Sequence, residues 1–101
     1  MKPVIKLEGS VGRLVLVGPF DFNMHKDFRQ ASQSLLDEPG VEEILVDFEQ
    51  VPFLDSSALG MLLLLKERAA AQKRTLALIN CRDTVKQVLE IACFNKMFVI
   101  R

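Results

Sequence analysis

The sequence has no tryptophan and no tyrosine, a single histidine and only two cysteines in 101 residues. Each shortage removes a class of function. Lysine plus arginine equal aspartate plus glutamate at 13 each, so there is no net positive field and no concentrated basic patch interleaved with aromatics, as nucleic-acid binding requires. Zero formal net charge also removes any long-range pull toward an anionic membrane. Cys81 and Cys93 show neither CxxC spacing nor a second metal half-site, so they read as reduced thiols and no metal is expected. Neither GxxxxGK(S/T) nor GxGxxG occurs, and nothing calls for a cofactor. His25 stands in the first turn of a helical pattern and has no triad around it, so an exposed imidazole is expected and an enzyme is not. The longest apolar stretch, residues 58–65 broken only by Gly60, is far short of the roughly 20 residues of a membrane span. The start MKPVIKLEG has no apolar h-region, so the expectation is a cytoplasmic protein without direct membrane insertion.

What the chain does have is apolar character: 50% of its residues are hydrophobic, with no linker-like segment to divide them. One domain over residues 1–101 with one core is expected. Val4, Ile5 and Leu7 precede the turn EGSVG, and RLVLVG follows, an antiparallel strand pair that ends near Gly18-Pro19. Met24, Phe28, Ala31, Leu35 and Leu36 recur at helical spacing before Pro39-Gly40, which predicts an amphipathic helix and its stop. ILVDF at residues 44–48 reads as a strand covered on both faces. A second helix follows, then TLALIN as a strand, a third helix with Val85, Val88, Leu89 and Ala92 on one stripe, and a last strand in MFVI. The fold class is α/β with the order β-β-α-β-α-β-α-β and a mixed, mostly parallel sheet. Right-handed crossovers then align the second, third and fourth strands, which gathers Phe20-Asp21, Asp55-Ser56-Ser57 and Asn80-Cys81 at their C-terminal ends. Asp21, Asp47 and Asp55 raise a magnesium or phospho-aspartate site, but Asp47 lies inside its strand, where a structural carboxylate is favoured.

The stretch FLDSSALGMLLLLKERAAA at residues 53–71 carries the functional question. Asp55, Ser56 and Ser57 are helix-start residues, since their side-chain oxygens accept from otherwise unpaired N–H groups. One cap needs one residue, so a second role for a hydroxyl stays open beside plain capping. An idealised wheel turns Leu59, Leu62, Leu63 and Ala70 to the sheet and leaves Gly60, Met61, Leu64 and Arg68 outward. That outer apolar face is either a docking surface or is covered by neighbouring elements. A phosphate on Ser56 would sit at a helix N-terminus, where free N–H groups tolerate an anion, so the fold should survive it. A partner packed there would meet added negative charge next to Asp55 and Asp21.

VDFEQVPFLDSSALGMLLLL resembles the signature of STAS domains, in particular the bacterial anti-sigma factor antagonists, in which a strand leads to an Asp-Ser-(Ser/Thr)-Gly-Leu-Gly turn opening a helix. Asp55, Ser56, Leu59 and Gly60 match in type and spacing, and the turn from Gly18 to Asp21 resembles the family's G-x-hydrophobic-D loop. Ala58 stands where the family has glycine. The resemblance implies a partner-switching protein: an anti-sigma factor or serine kinase-like regulator binds the unphosphorylated form, and phosphorylation of Ser56 releases it. Ser57 would be the secondary acceptor, and Asp21, Asp55, Ser57, Gly60, Met61 and Leu64 the partner-binding residues. ATP would belong to the partner, and a PP2C-type phosphatase would reset the serine. The chain stops at Arg101, where the family commonly adds a helix, which leaves a sheet edge suited to a partner or a weak homodimer. The alternative from the same resemblance is a constitutive scaffold or transporter-associated STAS subunit, with the serines as caps.

Overall fold

The computed structural model describes residues 2–101. Strand β1 (Val4–Glu8) turns back at Gly9, whose φ of +60° glycine adopts without strain, and pairs antiparallel with β2 (Val11–Val17), Val4 facing Val15 and Glu8 facing Val11. From β2 onward every pairing is parallel, through β3 (Glu43–Gln50), β4 (Thr75–Ile79) and the short β5 (Val99–Ile100), and the order across the sheet follows the order in the chain. Crossovers of one hand between successive neighbours must leave all their helices on one side. Accordingly α1 (His25–Leu36), α2 (Ser56–Ala71) and α3 (Asp83–Ile91) contribute to a single core.

That core is built on alternate strand positions. Leu14, Leu16, Ile44, Val46, Phe48 and Leu78 face Phe28 and Leu35 of α1, Leu62 and Leu65 of α2, and Val85 and Leu89 of α3. The α1 stripe predicted from spacing is buried as expected: Met24, Phe28, Ala31, Leu35 and Leu36 all lie in the core. Close approach of α1 to the sheet depends on Gly12, because a Cβ there would lie 2.6 Å from Leu35 Cδ2. The helix end is then held by Arg74, whose guanidinium donates to the Leu35 carbonyl at 2.6 Å.

The other sheet face differs from expectation. β3 was expected to be covered on both sides, yet all three helices cover one. Val15, Leu45 and Ala77 are buried on the opposite face without joining the main core, on the three central strands of the sheet. Asp47 lies among them and is structural, as the sequence reading favoured. It accepts from the Glu49 N–H and from Asn80 Nδ2, both at 2.9 Å, and faces the Arg13 guanidinium at 3.7 Å. This joins three strands rather than forming an ion site with Asp21 and Asp55.

Candidate functional site

Two loops meet at the C-terminal ends of β2 and β3, and the backbone joins them. The Phe20 N–H donates to the Phe53 carbonyl at 3.0 Å, and the Asp55 N–H donates to the Phe20 carbonyl at 3.2 Å, around a bridge between Phe20 and Leu54. Phe20 is anchored below by Phe28 and Phe48, with ring centroids 4.9 and 6.2 Å away. Because Phe20 is fixed, the next residue, Asp21, is held beside Asp55.

Each aspartate opens its own helical turn. Asp21 accepts from the Asn23 N–H at 2.9 Å and starts a single 3-10 turn, Phe22–Met24. Asp55, in extended conformation, caps α2: its Oδ1 accepts from the Ala58 N–H at 3.1 Å and from the Ser57 hydroxyl at 2.6 Å. The Ser57 hydroxyl holds the Asp55 carboxyl below its ordinary range, against partial desolvation and with help from the N–H groups of Ala58, Ser57 and Phe22. Asp55 is therefore ionised at neutral pH, where the positive end of the helix dipole favours it.

This division of labour separates the two serines. Ser57 is half-buried and bonded to Asp55, whereas Ser56 is the first residue of α2 and exposed. Ala58, in the position where the signature has glycine, is completely buried and donates to the cap. The helix begins at Ser56 and leaves that side chain outside.

Beyond Ser56 the outer stripe of α2 continues through Gly60, Leu63 and Leu64, with the leucines 37% and 43% exposed. Gly60 and Leu64 lie where the wheel put them. Met61 does not: it is 7% exposed and belongs to the core, while Leu63 and Ala70, expected inside, are outside. The buried stripe is Ala58, Met61, Leu62, Leu65 and Ala69. The reason is that α2 packs on α1 as well as on the sheet, and its inner face is set by both contacts. Arg68 is half-buried rather than outward.

Two further surface residues escaped the sequence reading. Phe22 is 73% exposed and stacks on His25, ring centroids 6.2 Å apart, and Phe53 is 44% exposed. Their signal was available: each is a large aromatic in a loop, next to Asp21 or two residues before Asp55. His25 is exposed as expected. Asn80 and Cys81, expected to converge with these loops, face other partners, Asn80 on the surface and Cys81 in the interior. The Asn80 amide is committed to Asp47, and Cys81 is buried with its thiol pushed up to about 12, by desolvation and by the nearby Asp47 charge.

Chemically, the site offers an accessible hydroxyl at Ser56 beside a carboxylate that accepts from Ser57. Among the described residues no group of three or more His, Cys, Asp or Glu side chains is arranged to hold a metal. No helix among them is long and apolar enough to cross a membrane.

The family model described as Mlab, STAS domain matches residues 4–100. The chain belongs to the STAS family. A STAS-domain containing protein of Pseudomonas aeruginosa (strain UCBPP-PA14) is 38% identical over 93 residues, which cover 92% of this chain and 90% of that protein. Solved structures share the fold at lower identity. An anti-sigma factor antagonist from Mycobacterium paratuberculosis superposes with a TM-score of 0.87 at 15% identity, covering 98% of this chain and 83% of that one. The Bacillus protein SpoIIAA in its phosphorylated form gives 0.73 at 19% identity, covering 98% and 90%, and its unphosphorylated form, an anti-sigma factor antagonist, gives 0.74. The STAS domain of a SulP transporter from Vibrio cholerae gives 0.78 at 16% identity, covering 95% and 77%. In this STAS domain the Asp55-Ser56 turn is thus the start of α2, and its outer stripe is open to solvent.

Proposed function

We propose that this STAS domain is an anti-sigma factor antagonist in a partner-switching pathway. Unphosphorylated, it binds an anti-sigma factor or serine kinase-like regulator through the start and outer stripe of α2; phosphorylation of Ser56 releases it. The observation that carries the reading is the exposure of Ser56 at the head of Gly60, Leu63 and Leu64, with its neighbour Ser57 already bonded to Asp55.

The physics of release follows from the position. A phosphate adds about −1.5 to −2 charges next to Asp55 and Asp21. The free N–H groups at the helix start accommodate an anion within the domain. A partner covering the same end loses contact through repulsion and through the cost of burying that charge. Ser57 is the poorer acceptor, because modification would first have to break its 2.6 Å bond to Asp55. SpoIIAA, which shares this fold, is known in both phosphorylated and unphosphorylated forms, which supports the reading. ATP and the kinase site would lie on the regulator, and a PP2C-type phosphatase would restore the hydroxyl.

Affinity capture with Ser56→Ala and Ser56→Asp baits, both verified as folded, tests this. A kinase-like regulator bound by the alanine form and absent from the aspartate form is the expected result. The fold shared with a SulP transporter domain favours a second reading, a constitutive subunit of a membrane-bound complex. Under it both baits retain the same partner, and only Leu64→Asp removes it.

A further inference from the structure

Toward the far end of α2 the surface changes sign. The outer face of α1 and Arg68 of α2 border an open cleft of about 650 Å³, with Lys26, Arg29 and His25 on its walls. Beside it runs a narrow slot between the two helices, where Phe28, Met61, Leu64 and Leu65 are flanked by the same Arg29 and Arg68. The described residues form two salt bridges, Arg13 with Asp47 and Arg101 with Glu43. Lys26, Arg29 and Arg68 take part in neither. The one acid lining the cleft, Asp37, accepts from Gln33 Nε2 at 2.9 Å. Cations without carboxylate partners, set around exposed Leu64, make a surface with both a charge and an apolar foothold.

We infer that this cleft takes an acidic amphipathic segment of the regulatory protein, with carboxylates on Lys26, Arg29 and Arg68 and an apolar side chain seated against Leu64. The inference rests on the reading of the outer α2 stripe as the partner surface. Arg68 lies twelve residues beyond Ser56, about 18 Å along a helix that rises 1.5 Å per residue. An interface of standard size, roughly 800 Å² per partner, covers that distance. The strip is therefore polar along its length: acidic and modifiable at Ser56, basic and unmodified at Arg68. Such an arrangement fixes the direction in which a partner docks, because reversing it would oppose like charges at both ends. It also leaves Arg68 largely independent of the phosphate, since about 18 Å exceeds the Debye length of roughly 8 Å at physiological ionic strength. The apolar slot and the lack of Trp and Tyr favour a protein segment over nucleic acid or lipid headgroups, which offer the same negative charge.

The test is an NMR titration of the isotope-labelled chain with two synthetic helical peptides sharing one leucine stripe, one flanked by glutamates and the other by lysines. The acidic peptide should shift the amides of Lys26, Arg29, Leu64 and Arg68, binding about tenfold more tightly than its basic twin, with the gap closing as salt rises. Arg29→Glu with Arg68→Glu should invert the preference, and Arg29→Lys with Arg68→Lys should keep it. Equal binding of the two peptides overturns the inference, as do shifts confined to the sheet. So does a result in which anionic phospholipid vesicles or a single-stranded RNA shift those amides and the acidic peptide does not. Ser56→Asp should still bind the acidic peptide. Failure here thus leaves the Ser56 switch standing, and loss of the switch leaves this cleft to be judged by the peptides alone.

Discussion

Helices α1 and α2 lie side by side on the same sheet face, yet they distribute their residues differently. The inner face of α1 is apolar apart from Ser32, and its outer face carries Lys26, Arg29, Gln30 and Gln33. Burial accounts for its inner face. α2 buries Ala58, Met61, Leu62, Leu65 and Ala69 but keeps leucines at 63 and 64 on the outside. A helix that needs one apolar face and has two carries more than folding requires. The excess lies immediately after the free Ser56, and that coincidence separates a functional surface from an ordinary core helix.

The comparison breaks most visibly at Met61. Met61→Asp would bury an unpaired carboxylate and should cost of the order of 4 kcal/mol in urea unfolding. If the variant instead stays stable and only loses its partner, the inner and outer faces of α2 have been exchanged. Leu62→Ala, in the fully buried stripe, should cost about 2–5 kcal/mol. Leu64→Ala on the outer face should change stability by less than about 0.5 kcal/mol while weakening partner capture. A similar loss of stability from both leucines would mean that α2 has no spare face.

The helix start sharpens the contrast further. Ser56→Asp should leave the unfolding midpoint nearly unchanged and abolish regulator binding. Ser57→Ala should act on the cap instead: without the hydroxyl, the Asp55 carboxyl moves back up toward 3.8, which an NMR pH titration reads directly. The native carboxyl titrates below that value, so its contribution to stability is present above 3.8 and is lost as pH falls through the lower native pKa. Ser57→Ala should flatten this acid limb. The smallest effect concerns the thiols. At pH 8, Cys93 on the surface should alkylate readily, while Cys81, buried and shifted to about 12, should label only when the chain unfolds.

Much of the molecule was legible from local patterns. The α1 stripe obeyed its spacing because a strongly two-sided helix has only one sensible orientation. The shared direction of β2, β3 and β4 followed from single helices between short apolar runs. The acceptor's surroundings were partly visible: Asp55 as cap and Ser56 next to it came from residue types alone, and the Phe20 bridge then fixed Asp21 at their side. The errors concentrate where the pattern is degenerate. Between residues 58 and 65 only Gly60 interrupts the apolar run, so a wheel can be rotated by a residue at little apparent cost. Met61, Leu63 and Ala70 changed sides for that reason. Phe22 and Phe53 lie on the surface although large aromatics ordinarily belong to a core.

The sequence by itself determined what is settled over a few residues: the strand and helix types, the turn at Gly9, the cap at Asp55, and the family signature. Hydrogen bonds between residues two or three apart and side-chain periodicity act before any distant contact forms. Tertiary structure alone decided which face of α2 looks out. It also decided that Phe22 and Phe53 stay exposed, and that the cations of α1 meet Arg68 around one cleft. These depend on contacts between segments far apart in the chain, where α1 and the sheet together choose one rotation of a helix that is apolar on nearly every side.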